Sequence, residues 1–243
     1  MNDFFQGIAD SFTKTFITDD RWLQILKGLG VTLEITFFAL LIGIAIGFLV
    51  AIIRSTHDMN LANRKCSVFS DYILKILNTI CNLYITVIRG TPVVIQLMIM
   101  YYLVFVTSRE AVVAAVISFG INSGAYVAEI VRSGIMSIDK GQFEASRSLG
   151  FNYSSTMIYT IIPQAFKNVL PALGNEFIVL LKETSVAGYV ALQDLTYVGN
   201  LIRSRTYEAF FPLVTVAVVY LVIVLIISFF LKKLERRLRN SDH

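Results

Sequence analysis

Glu176 and Glu183 stand seven residues apart in a stretch that is otherwise largely apolar. On a helix this spacing is nearly two turns, so both carboxylates project from one face, about 10 Å apart along the axis. A charged side chain at bilayer depth costs roughly 2.5–3.5 kcal/mol even on lenient insertion scales. Two carboxylates on one face therefore need a polar cavity and a counter-charge. Lys182 adjoins Glu183 in sequence but points about 100° away, a poor partner within one helix. The positive charge comes either from a cationic group on a ligand or from an inter-helix ion pair, with Arg132 or with Lys182 of a second copy. Glu34, near the outer end of the first apolar run, is a weaker candidate for the same cavity.

Arg89 poses the complementary problem. It is the sole charge in the 31 residues of 76–106. As one helix these would measure about 46 Å, against a hydrocarbon core of ~30 Å. Gly90 and Pro92 follow it, so the run reads as a broken segment whose second half crosses. The guanidinium then sits near a polar path together with Thr91 and Pro92, or snorkels to the cytoplasmic surface. Further on, Gly120, Asn122, Ser123 and Gly124 give an apolar run a polar middle. That middle is a cavity wall in which Asn122 needs a partner, or a place where small residues let helices pack closely.

The elements that must hold these groups are membrane helices. Of 243 residues, 56% are hydrophobic and 16% charged, with a mean hydropathy of +0.68; soluble domains carry roughly 25% charged residues. A pI near 9.0 would suggest nucleic acid in a soluble protein. Here the basic residues cluster beside apolar runs, and membrane orientation explains them, so no nucleic-acid partner is expected. Cys66 and Cys81 show neither metal-ligand spacing nor a disulfide framework, and His57 and His243 are isolated, so no metal site is expected. No nucleophile–base pair stands out either, which argues against an enzyme.

Residues 35–53, 111–128 and 209–231 are free of charge and long enough to span. Lys and Arg concentrate at 54–75, 132–167 and 232–239, flanks that belong in the cytoplasm. The last two can both lie inside only if residues 164–190 also cross, despite Lys167, Glu176, Lys182 and Glu183. The result is an all-α polytopic protein of five spans, N-terminus outside and C-terminus inside. Thirteen of the 21 basic residues then lie inside and six outside, with Arg89 and Lys182 at membrane depth. Residues 1–30 form an extracytoplasmic segment without signal-peptide character. Its Phe5, Ile8, Phe12 and Phe16 recur at helical spacing, as on a surface helix or one packed on the first span. Residues 31–231 make one membrane domain, and 232–243 a basic cytoplasmic tail. Gly43 and Gly47 form a small-xxx-small pair that lets two helices approach closely.

Residues 140–163 are a polar patch among these spans. Glu144-Ala145-Ser146 sits on a helix-favouring stretch, Gly150 offers the left-handed turn that ends it, and Pro163 begins the next segment after a second amphipathic turn. A helix–Gly–helix hairpin on a membrane surface is a docking element, since a mere connector could be shorter. No Gly-x-x-x-x-Gly-Lys-Ser/Thr phosphate loop occurs, so any ATP-driven motor is another chain.

The hairpin resembles the EAA loop of ABC-importer permeases: Glu-Ala-Ala, three residues, Gly, nine residues, Ile-x-Leu-Pro. Ser146 stands for the second Ala, Thr160 for the Ile and Ile162 for the Leu. Five further blocks resemble the polar amino acid branch of that family. They are Thr32-Leu33-Glu34-Ile35-Thr36, Arg89-Gly90-Thr91-Pro92, Ala125-Tyr126-Val127-Ala128-Glu129-Ile130-Val131-Arg132, Pro171-Ala172-Leu173-Gly174-Asn175-Glu176-Phe177 and Leu180-Leu181-Lys182-Glu183-Thr184-Ser185. The last has Glu where Asp is commoner.

The resemblance implies a type I ABC importer permease fold in a bacterial plasma or inner membrane, in a subunit that carries polar amino acids. It implies two permease protomers, identical or related, around one path, and two cytoplasmic ATPases that bind ATP and Mg, with no cofactor in this chain. An extracytoplasmic amino-acid-binding protein would deliver the solute. Gly141, Glu144, Ala145, Ser146, Gly150 and Pro163 would couple to the ATPase. Arg89, Thr91, Pro92, Lys182, Thr184 and Ser185 would line the path, and Glu176, Glu183, Glu34 and Asn122 would hold the substrate, the carboxylates meeting its α-ammonium or a cationic side chain. A self-contained secondary transporter is the alternative, but it often shows internal repeats, paired broken helices and more than five spans.

Overall fold

The computed structural model describes residues 2–63, 68–108 and 110–239. Met1, Arg64, Lys65, Cys66, Ser67, Arg109 and the last tail residues, 240–243, lie outside the described residues, as do the side chains of Phe5 and Ile8. All regular elements among the described residues are helices. In chain order they are α1 (Asn2–Phe16), α2 (Arg21–Asn63), α3 (Val68–Gly90), α4 (Val93–Ile99), α5 (Ala111–Met136), α6 (Lys140–Ser148), α7 (Tyr153–Thr156), α8 (Ile162–Glu183), α9 (Leu195–Thr206) and α10 (Phe210–Arg239). Single π-helical stretches extend α4 over Met100–Val104 and join α7 to α8 over Met157–Ile161, and a 3₁₀ stretch, Thr184–Val190, follows α8.

Among the described residues four helices are long and apolar enough to cross a membrane: Thr18–Asp58, Asp71–Gly90, Ala111–Met136 and Phe210–Leu238. Three of them hold the charge-free runs of the sequence, the last run less its first residue, Ala209. The fourth corrects an expectation. The broken segment does break where expected, α3 ending at Gly90 and α4 starting at Val93. The half that meets the length requirement is the first, whereas the second, Val93–Val104, is a shorter apolar helix. At 1.5 Å per residue such a piece rises only about 18 Å. The first half is longer than its charge-free part because Asp71 and Lys75 sit on helical backbone at its polar end.

The chain divides into two compact units. The first comprises Met1–Ala39, Val93–Phe119 and Ile178–Phe229. Its core gathers Ile25, Leu195, Val198, Ile202 and Val216, with Phe16, Leu29 and Tyr220 packed against them. The α1 helix is tied to its own chain: the Phe12 ring lies 6.5 Å from that of Phe211, and Ser11 Oγ donates to Glu208 at 2.9 Å. Between α1 and α2 the backbone turns at Asp19 and Asp20, both at positive φ, and Arg21 pairs with Asp19 at 3.1 Å. Asp194 is fully buried and caps α9 by accepting from Thr196 N–H at 2.9 Å and Tyr197 N–H at 3.1 Å. Burial pushes its carboxyl above the ordinary carboxylate range, and these N–H bonds oppose the shift.

The second unit comprises Leu40–Pro92, Gly120–Phe177 and Phe230–His243. One cluster in it joins Ala51, Val127, Val131, Ile135, Ile161, Ala165 and Val169, and another joins Val50, Cys81, Ile85, Ala125 and Ala128. Gly43 and Gly47 serve the packing of α2 on α5. A Cβ at Gly43 would stand 2.9 Å from Ser123 and one at Gly47 2.5 Å from Val127. In the polar middle of α5, Asn122 and Ser123 are buried, and Tyr84 donates its hydroxyl to the Ile121 carbonyl at 2.6 Å.

Candidate functional site: the 140–163 hairpin and a charged cluster

The hairpin folds from local signals. Asp139 opens α6 by accepting from Gly141 N–H at 2.6 Å, and Asn152 opens α7 by accepting from Ser155 N–H at 2.8 Å. Between them Gly150 holds φ +89°. Its N–H donates to the Arg147 carbonyl at 3.1 Å, and Phe151 N–H reaches back to the Ser146 carbonyl at 3.2 Å. These two bonds are the Schellman stop that the glycine predicts. The space beside Gly150 is open, so the requirement for glycine there is conformational and not steric.

The same hairpin is anchored from below. Phe143 and Met157 pack onto the cluster that includes Ala51, Val127 and Val131. The Phe143 and Tyr153 rings stand 6.0 Å apart. Burial raises the Tyr153 phenol above its ordinary value, against a hydrogen bond with Thr56. Ser146 is buried, whereas Gly141, Glu144, Ala145, Arg147, Gly150 and Pro163 are exposed. Leu149 is 80% exposed and Tyr159 72%. The structure thus presents most of the expected docking residues outward, with an apolar rim.

Arg89 finds its partner inside the chain. Its guanidinium lies over the Tyr126 ring at 5.1 Å and 3.7 Å from Glu129 Oε2. Glu129 Oε1 in turn accepts a hydrogen bond from Arg54. Nearby in sequence, Arg132 Nε stands 3.6 Å from Asp58. This last pair corrects one expectation: Arg132 does not neutralise Glu176 or Glu183, because Asp58 on α2 takes it. Sequence reasoning assigned no role to Glu129, Arg54 or Asp58. The available signal was that the Glu129–Arg132 spacing places both on adjacent turns of α5, between two arginine-bearing segments.

The remaining candidates sit in different surroundings. Glu176 is 7% exposed and accepts from Ser123 Oγ at 2.8 Å. Glu183 is half-buried at the end of α8, beside exposed Lys182. Thr184 is buried and donates to the Leu181 carbonyl at 2.7 Å, Ser185 is half-buried, and Glu34, Thr91 and Pro92 are exposed. Thr91 Oγ1 closes the end of α3 by donating to the Val87 carbonyl at 2.9 Å. Among the described residues no group of His, Cys, Asp and Glu is placed to hold a metal ion.

Comparison with known proteins meets this geometry from another side. A family model described as "Binding-protein-dependent transport system inner membrane component" matches residues 66–240. The chain is 37% identical over 221 residues to the arginine transport system permease protein ArtQ of Bacillus subtilis, covering 90% of this chain and 94% of that one. It is 36% identical over 219 residues to a putative glutamine transport system permease protein GlnP of Rickettsia typhi, covering 89% and 93%. A solved structure described as an amino acid ABC transporter with histidines superposes at a TM-score of 0.77 and 41% identity, covering 88% of this chain and 94% of that one.

Proposed function

The chain belongs to the family of inner membrane components of binding-protein-dependent transport systems, and from that premise we propose that it imports polar amino acids. ATP is hydrolysed by a separate partner subunit, consistent with the lack of a phosphate loop in this sequence. The observation that carries the coupling role is the hairpin: capped at both helices, closed by Gly150 and anchored by Phe143, Tyr153 and Met157, it offers Glu144, Ala145 and Gly141 outward.

In this reading the fold is of the importer type with five spans. The fifth is α8, whose 22 residues rise about 33 Å, enough to cross. The N-terminus and residues 1–30 lie outside, and 232–243 is the basic tail inside. Two protomers enclose the path, because one set of five spans cannot surround a polar solute. Glu176 and Glu183, with Glu34 and Asn122, meet the substrate's ammonium. Arg89, Thr91, Pro92, Lys182, Thr184 and Ser185 line the way through. The names of the relatives, for arginine and for glutamine, support a polar amino acid as the cargo.

Reconstitution tests this. The chain, assembled with its ATPase and binding protein in proteoliposomes, should take up labelled arginine, glutamine or histidine only when ATP and the binding protein are both present. Uptake driven by an ion gradient without the ATPase would instead identify a secondary transporter.

A further inference from the structure

Three hydroxyls lie beneath the hairpin. Ser146 is 6% exposed and Thr156 fully buried, and Thr160 is half-buried. Ser146 Oγ and Thr160 Oγ1 are hydrogen-bonded at 2.8 Å. Thr156 Oγ1 has no hydrogen-bond partner among the described residues. The two bonded residues are those at which the hairpin departs toward hydroxyls from an apolar pattern.

Their places in the chain give this bond leverage. Ser146 lies in the last turn of α6, and its carbonyl receives the Phe151 N–H that closes the helix. Thr160 lies in the π-helical turn Met157–Ile161, which runs without a break into α8. A π turn carries one residue more than the regular i→i−4 ladder and so rotates its side chains away from the positions a regular helix would give them. Here that rotation accompanies a Thr160 hydroxyl that meets Ser146. Another side-chain tie between α6 and α8, Gln164 Nε2 to Gln142 Oε1, is exposed and 3.4 Å long. A water-exposed bond of that length holds weakly, whereas the part-buried Ser146–Thr160 bond at 2.8 Å is shorter and less open to water.

We propose that the Ser146–Thr160 bond is a positioning clasp between the outward-facing helix α6 and the head of α8, and that it sets how much solute moves per ATP hydrolysed. The clasp rests on the coupling role given to the hairpin above. The apolar anchors Phe143 and Met157 hold the hairpin on its cluster independently. Cutting the clasp therefore loosens the link between the two helices without unfolding the loop.

The test is a double-mutant cycle read as the ratio of uptake to ATP hydrolysis in proteoliposomes, normalised to assembled complex. Ser146→Ala and Thr160→Val should each lower the ratio by about threefold, the low end of what one part-buried hydrogen bond contributes net. The double variant should be no worse than the poorer single variant, because one bond can be lost only once. Thr160→Ser, which keeps the hydroxyl, should hold the wild-type ratio. A merely structural bond would lower melting temperature or yield in the single variants and leave the ratio unchanged, which overturns the clasp. Losses that multiply in the double variant also overturn it. Gly150→Val separates the two levels: if it uncouples while the Ser146 and Thr160 variants do not, only the clasp fails. If Gly150→Val leaves the ratio intact, the coupling role falls and the clasp with it.

Discussion

The hairpin at 140–163 and the charged cluster around Glu129 solve opposite problems. The hairpin keeps most of its polar groups in the open and fixes their geometry through contacts a few residues apart: Asp139 to Gly141, Ser146 to Phe151, Asn152 to Ser155. The cluster holds three arginines and two carboxylates through contacts tens of residues apart, joining Arg54 and Asp58 of α2, Arg89 of α3 and Glu129 and Arg132 of α5. The first arrangement spreads its geometry over several short bonds. In the second, Arg54 and Arg89 share one carboxylate, Glu129. The docking role proposed for the hairpin calls for a fixed shape, whereas charges near a helix break call for neutralising partners.

The contrast orders the expected effects of substitution. Glu129→Gln should be the most damaging, since it leaves the Arg54 guanidinium, only 14% exposed, without its hydrogen-bonded carboxylate. A loss of about 2–3 kcal/mol is expected for a partly solvated pair of this kind, read as a fall in detergent melting temperature and in yield of assembled complex. A cluster without structural weight would leave both unchanged. Gly47→Ala comes next. Its new Cβ would stand 2.5 Å from Val127, an overpacking cost of about 1–3 kcal/mol at the α2–α5 contact. A wild-type melting temperature for this variant would show that α2 and α5 do not rely on that approach.

Gly150→Val should cost about 1–2 kcal/mol, from a β-branched residue at positive φ, while the open space around it keeps the chain inserted. Its larger signature is functional, with ATP hydrolysis continuing and uptake lost. The smallest stability effect belongs to Arg89→Lys. The side chain is 43% exposed and its contact with Glu129 is 3.7 Å, so about 0.5 kcal/mol is at stake. A path residue that needs a planar guanidinium should still lose uptake. Full uptake in the Lys variant would demote Arg89 to a surface anchor.

How much the sequence disclosed follows the same division. The hairpin was legible because a helix-favouring stretch, a Gly stop and a second amphipathic turn ending at Pro163 follow one another in neighbouring residues, while its two caps, Asp139 and Asn152, show only in the fold. The apolar spans were legible where no charge interrupts them. The broken segment was misjudged in its crossing half because Asp71 and Lys75 lie on the helix that the charge-free run only partly covers. The α-helix of the 164–190 stretch stops at Glu183, and a 3₁₀ stretch with Ala191 at φ 57° ends it, a turn with no glycine or proline at that residue to announce it. Partner choice was the least legible. Only the packing of α5 against α2 and α3 shows that Glu129 serves Arg54 and Arg89, and nothing in the spacing of Gly120, Asn122, Ser123 and Gly124, open to a cavity wall or to close packing, singles out Ser123 as the donor to Glu176.

The most direct test of the coupling role compares the hairpin with the turn carrying α9. Single cysteines at exposed Ala145 and Asn200, placed in the assembled transporter, would be given a short thiol cross-linker and resolved by mass. Ala145→Cys should join the ATPase subunit, and Asn200→Cys should not. Cross-linking of the ATPase to position 200 and not to position 145 would contradict the assignment of the hairpin as the docking element.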